Sequence, residues 1–464
     1  MQDHIFRQYD IRGKVGQELL LDQVYDLAKA IVYYFVQKNP ALKTIAVGAD
    51  GRTHSPAIKQ ELCRALQDSG IDVLFVGTCP TPVLYFSLFN LPVDAGLMIT
   101  ASHNGKEYNG IKICLGKESV WGSQIQEIKA LYAQKAAVKA EHRGSYKEYN
   151  LIEDYTDWMV KKFPHLVNMD IAAVVDCGNG AAGTVWPMLI KKMQWKKVDL
   201  LFPEVDGTYP NHEADPIVEE NMLDVKKNLL SGCYDVGLGL DGDCDRMTPM
   251  TKQGQLVQGD KVLALFAQDI IKNHPKAPIV FDIKCSSGLA DVIAAVGGLP
   301  CISPSGHSII KDQMKKQKAL LAGELSCHFF FHDRYFGYDD GNYAALRLFE
   351  LLVQSGKTLQ ELLTIFPEKW STPEIRIACD QHAMASIVEH VKEHFIKEAK
   401  GEIMTIDGIR VTMSYGWGMV RSSNTQPVIC LRFESDSQAG LQQIKQDFKG
   451  ALEPYLSKEA LMHL

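Results

Sequence analysis

No Cys-x-x-Cys pair occurs in the chain, although it holds 11 cysteines. An odd number without that spacing argues against a disulfide frame and against the commonest zinc pattern. Several cysteines sit inside apolar runs, as in Ile113-Cys114-Leu115 and Ile429-Cys430-Leu431, and read as small core hydrophobes in a reducing compartment. Nor is there an excess of basic residues. Lys and Arg number 49 against 56 Asp and Glu, a formal charge of −7. That weighs against nucleic acid or an anionic membrane as partner, and an anionic substrate would need its Arg and Lys to be local. No apolar stretch is long enough to span a bilayer. The first residues, Met1 to Asp10, lack an apolar signal-peptide core, so a cytoplasmic location is expected. What is present is ordinary for a soluble globular enzyme: 46% hydrophobic and 23% charged residues. The 464 residues exceed one hydrophobic core, and about three or four domains are expected.

A weak internal repeat organises the chain. Three segments share one plan of apolar strand, small polar loop, helix and second strand. The first runs from Ile45-Ala46-Val47-Gly48 through a helix around 56–69 to Val73-Leu74-Phe75-Val76. The second runs from Ile171 to Asp176, a helix near 184–193, then Val198 to Phe202. The third runs from Ile279 to Ile283, a helix near 288–296, then Cys301-Ile302. This spacing predicts parallel βαβ units, with starts roughly 110–130 residues apart, too long for a solenoid. The tail differs. It predicts a strand from Glu374 to Cys379, a helix over 383–399, a hairpin over 402–413 turning at Asp407-Gly408, a strand from Val428 to Glu434 and a helix over 438–455. Domain limits at 1–146, 147–251, 252–368 and 369–464 follow.

Four segments are chemically suggestive. Thr100-Ala101-Ser102-His103-Asn104 follows the apolar run Ala95 to Ile99, so Ser102 stands at a strand's carboxyl end, where open α/β sheets place ligands. Ser102 beside His103 suits a nucleophile or phosphate carrier; a plain surface turn is the competing reading. Asp241-Gly242-Asp243-Cys244-Asp245-Arg246 follows the run Val236 to Leu240. Three carboxylates at alternate positions repel unless neutralised, and a divalent cation does so. An EF-hand needs Gly at its sixth position and Glu at its twelfth, where this chain has Arg246 and Lys252. A haloacid-dehalogenase-like phosphatase needs Thr where Asp245 stands. Three Asp ligands leave room for water or a phosphate oxygen, as Mg²⁺ prefers. Arg421-Ser422-Ser423-Asn424-Thr425 offers a guanidinium, side-chain donors and backbone amides for a phosphate, with a polar hairpin loop as the alternative. Gly323-Glu324-Leu325-Ser326-Cys327-His328 suits paired hydrogen bonds to sugar hydroxyls, although Glu324 could equally serve a salt bridge.

A competing motif is Gly178-Asn179-Gly180-Ala181-Ala182-Gly183, a G-x-G-x-x-G after a strand, with Glu204 at the spacing of a ribose-binding acid. A nucleotide-binding oxidoreductase is therefore a rival. It leaves Ser102, the Asp triplet and the Arg421 loop without a role, and the structural reading is that small residues let the helix start close to the sheet.

Taken together the segments resemble the α-D-phosphohexomutase family, and within it the phosphomannomutase/phosphoglucomutase group. The resemblance spans nearly the whole chain in motif order. It includes Tyr9-Asp10-Ile11-Arg12-Gly13 near the N-terminus and Tyr108-Asn109-Gly110-Ile111-Lys112 beside the serine loop. It implies three similar mixed α/β domains, each containing a βαβ unit, plus a smaller C-terminal α+β domain, around a central cleft. It implies that Ser102 carries the phosphoryl group. Asp241, Asp243 and Asp245 would hold Mg²⁺ with phospho-Ser102 as a further ligand. Arg12, His103, Lys112 and Arg246 would surround the transferring group, and Tyr9 would line the cleft. Lys284 and His307 would lie near the substrate, and Glu324 and Ser326 would bind the sugar's O3 and O4. Arg421, Ser423, Asn424 and Thr425 would grip the non-reacting phosphate. Three departures stand out: Gly105 where the family often has proline, and Cys244 and Cys327 where it has glycine. Asn424 favours the mannose/glucose group over glucosamine mutases.

The implied activity is reversible interconversion of mannose 6-phosphate and mannose 1-phosphate, with glucose phosphates also accepted or even preferred. A hexose 1,6-bisphosphate would be both intermediate and activator. The partner is a small hexose phosphate, with monomer and dimer both open. Such transfer needs alignment and charge stabilisation more than covalent help, and His103 and Lys112 both qualify as the proton acceptor. The last domain is expected to swing to admit and release the sugar. A non-catalytic sugar-phosphate binder on the same fold would be marked by loss of Ser102 or of the Asp triplet; both are intact.

Overall fold

All three βαβ units are present in the computed structural model, which describes residues 1–380, 383–423, 428–462 and 464. Thr44–Ala49 passes through helix Ser55–Asp68 to Asp72–Thr78, with Ile45 paired to Val73 in parallel register. Ala173–Asp176, Trp186–Met193 and Val198–Leu201 form the second unit; Pro278–Asp282, Ser287–Ala295 and Leu299–Ser303 form the third. The leading strands are short apolar runs buried almost throughout, the signature of parallel strands covered on both faces. The helices bury one stripe. In Ser55–Asp68, Pro56 opens the first turn and Ile58, Leu62, Ala65 and Leu66 face inward. In the third unit Ser286 caps the helix by accepting a hydrogen bond from the Gly288 amide.

In each unit a third strand lies parallel to the first, on the side away from the second. These are Ala95–Ile99, Val236–Leu240 and Leu321–Gly323. Each is followed by an antiparallel return strand, respectively Tyr108–Leu115, Met247–Thr251 and Phe329–Phe331. The loops between third and return strands occupy topologically equivalent places. They contain Ser102, the Asp241–Arg246 run and the Glu324–His328 run. The repeat thus delivers three different chemistries from one position of one fold unit, at the carboxyl ends of parallel strands.

The C-terminal domain is an antiparallel sheet. Val428–Ser435 pairs with Gly416–Ser422, with Ile375–Ala378 and with Trp370–Ser371. The hairpin of Glu402–Met404 and Ile409–Met413 continues the sheet from Gly416–Ser422. Helices Met384–Lys397 and Gln438–Leu452 pack on it. The expected elements are there, joined by one strand, Gly416–Ser422, that was not read separately.

One apolar core runs from a face of the first sheet (Ala46, Met98) and the helix Thr81–Asn90 on it (Val83, Leu84) through Trp186 and Leu238 to Phe281 and Phe329. It ties the first three domains together. The other face of the first sheet and the C-terminal domain have cores of their own. The last domain meets the third through a small apolar patch of Ile283, Trp417 and Met419 and through hydrogen bonds from Arg410 to the Ile283 and Cys285 carbonyls, from Arg432 to the Lys284 carbonyl and from Ser287 to Glu434. The cysteines are unpaired and mostly buried. Among the described residues, no helix is long and apolar enough to cross a membrane.

Candidate active site

Ser102 leaves strand Ala95–Ile99 in a left-handed turn, φ 53°, and is only 3% exposed. Its amide donates to Thr100 Oγ1 at 2.9 Å. Its hydroxyl donates to Asp241 Oδ2 at 3.1 Å and lies 3.0 Å from His103 Nδ1. Arg12, paired with Asp10, donates to the Ala101 carbonyl at 3.1 Å and to Asn104 Oδ1 at 2.6 Å. Lys112 reaches in from the return strand. Its ammonium donates to Asp243 Oδ2 at 2.8 Å and to Asp245 Oδ2.

The three aspartates are wholly buried, with ligand atoms within 4.8 Å of one another. Asp243 Oδ1 has no hydrogen-bond partner, and Asp245 Oδ1 meets the His328 imidazole at 3.1 Å. Burial, then the charges of Asp245 and Asp243, push the Asp241 carboxyl well above its usual range. Against the cost of burial, Lys112 and His328 hold Asp245 well below it. A compact set of hard oxygen donors, one of them, Asp243 Oδ1, without a partner, fits a small divalent cation. The triad can hold a metal ion.

The third loop faces this cluster. Glu324 accepts from the Gly306 amide at 2.6 Å and lies 3.1 Å from His328 Nδ1. Although burial opposes it, His328, Lys284 and the Gly306 amide pull the Glu324 carboxyl down to about 2. Ser326 Oγ is 3.1 Å from the same imidazole nitrogen. Arg246 sits 3.3 Å from His328 through Nε and 3.7 Å from Asp215 through Nη1. Lys284 lies between Asp282, at 3.4 Å, and Glu374, at 3.5 Å. Both ring nitrogens of His307 are buried without a hydrogen-bond partner, Nδ1 lying 3.5 Å from Asp339; burial first, then Lys311 and Lys112, push this imidazole well below its usual range. His103 is likewise pushed well below its usual range, by burial and then by Arg246 and Arg12. The Tyr9 hydroxyl donates to the Ser305 carbonyl at 2.6 Å, joining the first domain to the third.

Arg421 comes from the C-terminal domain and pairs with Asp407 at 2.9 Å. Ser423 lines the same cleft, and its amide donates to the Val428 carbonyl. Asn424 and Thr425 lie outside the described residues. Tyr9, Arg12, Ser102, Lys112, Asp245, Arg246, Lys284, His307, Glu324, Ser326 and Arg421 thus all line one cleft of about 450 Å³ built from all four domains, with Asp241 and Asp243 behind Ser102.

His328 had no separate role in the sequence reading. It stands 3.1 Å from Asp245 and 3.1 Å from Glu324, linking the aspartate cluster to the sugar loop. Burial opposes its charge, but the two carboxylates raise it to about 9. Its one sequence signal was its place at the end of the Glu324 loop. Asp215 and Asp339 carried no signal, because their partners, Arg246 for the first and Lys311 and His307 for the second, come from other segments; Glu374 carried none because Lys284 reaches it from another domain.

The G-x-G-x-x-G glycines serve close packing. A Cβ on Gly180 would come within 2.9 Å of the Gly242 carbonyl, and one on Gly183 within 1.8 Å of the Pro203 carbonyl. The Ala181 amide donates to the Gly242 carbonyl, so this turn abuts the aspartate loop. Cys244 and Cys327 have φ of 58° and 65°, the left-handed conformation that glycine adopts without strain; it accounts for glycine at those positions in the resemblance.

Four family models match the chain in order. Phosphoglucomutase/phosphomannomutase alpha/beta/alpha domains I, II and III match residues 3–139, 153–254 and 258–369, and the C-terminal domain matches 374–451. The chain is 41% identical over 454 residues to a phosphomannomutase/phosphoglucomutase of Pseudomonas syringae pv. tomato, covering 98% of this chain and 96% of that one. It is 41% identical to a phosphoglucomutase of Neisseria gonorrhoeae, covering 97% and 96%. Among solved structures, a phosphoglucomutase/phosphomannomutase family protein from Burkholderia thailandensis superposes with a TM-score of 0.88 at 34% identity, covering 98% of each chain.

Proposed function

Because the chain belongs to the phosphoglucomutase/phosphomannomutase family, we propose that it is an isomerase that interconverts mannose 6-phosphate and mannose 1-phosphate, and glucose phosphates on the same machinery, with phosphoglucomutase as the alternative main activity. The observation that carries this reading is the 3.1 Å contact between Ser102 Oγ and Asp241, in a cleft whose far wall holds Glu324, Lys284 and Arg421. A phosphoryl carrier and a separate sugar-phosphate clamp are what a two-ended substrate requires.

Ser102 carries the phosphoryl group. Asp241, Asp243 and Asp245 would hold Mg²⁺, which supplies positive charge to the oxygens of the transferring group. Lys112, Arg246 and Arg12 add fixed cationic charge around that point. Transfer breaks the bond from phosphorus to Ser102 Oγ and forms one to the sugar hydroxyl, whose proton must go to a base. Of the two candidates, His103 lies 3.0 Å from Ser102 Oγ, within hydrogen-bond reach of the oxygen that gives up phosphorus, and is placed to move that proton and to return one to the serine. Glu324 and Ser326 accept and donate to the sugar hydroxyls in either orientation, and the His307 ring faces the same space. Arg421, with Ser423, Asn424 and Thr425, holds the phosphate that is not reacting. The hexose 1,6-bisphosphate then turns over and returns its other phosphate to Ser102; added bisphosphate reloads an empty serine. The C-terminal domain swings to admit and release the sugar, about a boundary whose apolar part is only the patch of Ile283, Trp417 and Met419. Unpaired cysteines support the cytoplasmic setting.

Native protein should show one phosphate by intact-mass measurement and turn over mannose 1-phosphate and glucose 1-phosphate in coupled assays. Ser102→Ala should lose both the phosphate and the turnover. Turnover near the native level in that variant rejects the carrier role.

A further inference from the structure

Beside the Ser102 loop, behind the cleft, lies a turn, Asp50-Gly51-Arg52, that the reaction scheme leaves without a role. Arg52 is 1% exposed, and its guanidinium is wrapped by the loop. Nη2 donates to the carbonyls of Ser102, at 2.7 Å, and Asn104, at 2.6 Å. Nη1 donates to those of Gly105, at 2.8 Å, and Tyr108, at 3.1 Å. Nε donates to Asp50 Oδ2 at 3.1 Å. Every N–H of the guanidinium is therefore engaged. Asp50 is itself fixed by the Arg52 amide and by Ser55 Oγ. From the second domain the Tyr209 ring lies over the guanidinium at 5.4 Å. Gly207 presses on the turn so closely that a Cβ would come within 2.4 Å of the Gly51 carbonyl.

Four carbonyl dipoles aimed at one buried point repel one another unless a cation sits there. With the cation, they bend residues 102–108 into a tight arc, and that arc holds Ser102 in its left-handed conformation with the hydroxyl facing Asp241. Arg12 grips the opposite side of the loop through the Ala101 carbonyl and Asn104, but it faces the cleft. Arg52 does not line the cleft.

We propose that Arg52 is a positioning residue for phosphoryl transfer: it sets the curvature of the Ser102 loop, and so the approach of the serine oxygen to the aspartate cluster, without touching substrate. The proposal rests on Ser102 being the phosphoryl carrier. Lysine cannot replace it, because an ammonium is a point charge with three donors and no planar fork to span four carbonyls.

The test compares native protein, Arg52→Lys and Arg52→Ala with glucose 1-phosphate and added bisphosphate. In folded Arg52→Lys, kcat should fall by about 10²-fold, the effect of an ångström-scale misplacement, while KM stays native, since Glu324, Lys284 and Arg421 are untouched. In Arg52→Ala, guanidinium ion at a non-denaturing concentration should restore part of kcat, and ammonium at equal ionic strength should not. A native kcat in Arg52→Lys, a loss borne by KM alone, or a kcat that merely tracks the folded fraction overturns the proposal. If the Arg52 variants do not fold, Asp50→Asn, which frees only the Nε end, should show a smaller kcat loss at native KM; an unchanged kcat there overturns it equally. Ser102→Ala run alongside separates the two claims. Turnover in that variant rejects the carrier reading itself, whereas an inactive Ser102→Ala beside a fully active Arg52→Lys rejects only the role of Arg52.

Discussion

Replacing Lys112 by methionine removes an ammonium from between Asp243 and Asp245 and leaves a side chain of similar length. The ammonium lies 2.8 Å from Asp243 and also bonds Asp245, with all three groups almost wholly buried. At an effective dielectric of about 20, each contact of this length is worth roughly 6 kcal/mol of Coulomb energy. Desolvation of the ammonium offsets much of that, and removal of one partner from a buried ion pair costs about 3–5 kcal/mol. The metal-free variant should therefore lose about 3–5 kcal/mol in the transition that reports the first three domains. A divalent cation supplies the missing charge, so Mg²⁺ should recover more stability in Lys112→Met than in native protein. At a concentration about 100-fold above Kd the linkage gain is about 2.7 kcal/mol, and a site free of the competing ammonium should reach that ratio at lower Mg²⁺. The assay is calorimetric melting in chelator, followed by a Mg²⁺ titration of both proteins. Equal melting in chelator, or an equal Mg²⁺-induced gain in the two proteins, would refute the reasoning that lysine and metal share one carboxylate cluster.

Three further outcomes follow from local geometry. Gly180→Ala drives a Cβ to 2.9 Å from the Gly242 carbonyl and 3.0 Å from its Cα; it should cost about 1–3 kcal/mol and weaken Mg²⁺ stabilisation in thermal melts, and native values of both would contradict the packing role. Gly450→Ala, within helix Gln438–Leu452, meets nothing within 4 Å and should stabilise the C-terminal domain by about 0.5–1 kcal/mol; lower denaturant resistance would contradict it. His212 loses charge to burial, but its 3.0 Å hydrogen bond to Asp176 and that carboxylate's charge raise it above its ordinary value. A raised histidine stabilises fully below its unfolded pKa of about 6.5 and loses that contribution as pH rises through the folded value. The melting gap between native protein and His212→Gln should thus be widest in mild acid and shrink towards alkaline pH; a gap that widens with pH would contradict it.

How far the molecule was legible depended on whether a feature's cause lay near it in sequence. Ser102 and the Asp241, Asp243, Asp245 run could be found because strand, turn and like-charge crowding are local facts. The three βαβ units were legible for the same reason: a short, fully buried apolar run beside an amphipathic helix leaves few alternatives. Arg52 and His328 were not. Nothing about Asp50-Gly51-Arg52 announces that its acceptors lie from Ser102 to Tyr108, or that His328 meets an aspartate of the preceding domain, since both facts arise only when distant segments converge.

The glycines show the same limit more sharply. Strand Gly416–Ser422 escaped separate notice because glycine weakens a strand pattern, yet Gly418 is there for a tertiary reason: a Cβ would strike the Phe448 ring at 2.4 Å. Gly178-Asn179-Gly180-Ala181-Ala182-Gly183 has the local form of a pyrophosphate-binding turn, and its glycines do admit a close approach. The approaching groups are the carbonyls of Gly242 and Pro203, so the chain itself fills the place that the motif would assign to a cofactor. A glycine pattern states that something comes near; whether that something is a ligand or another loop is decided by the packing of the domain around it. In this protein the loop that comes near Gly180 is the one bearing the three aspartates, which makes a turn with no catalytic group of its own part of what holds the cluster in place.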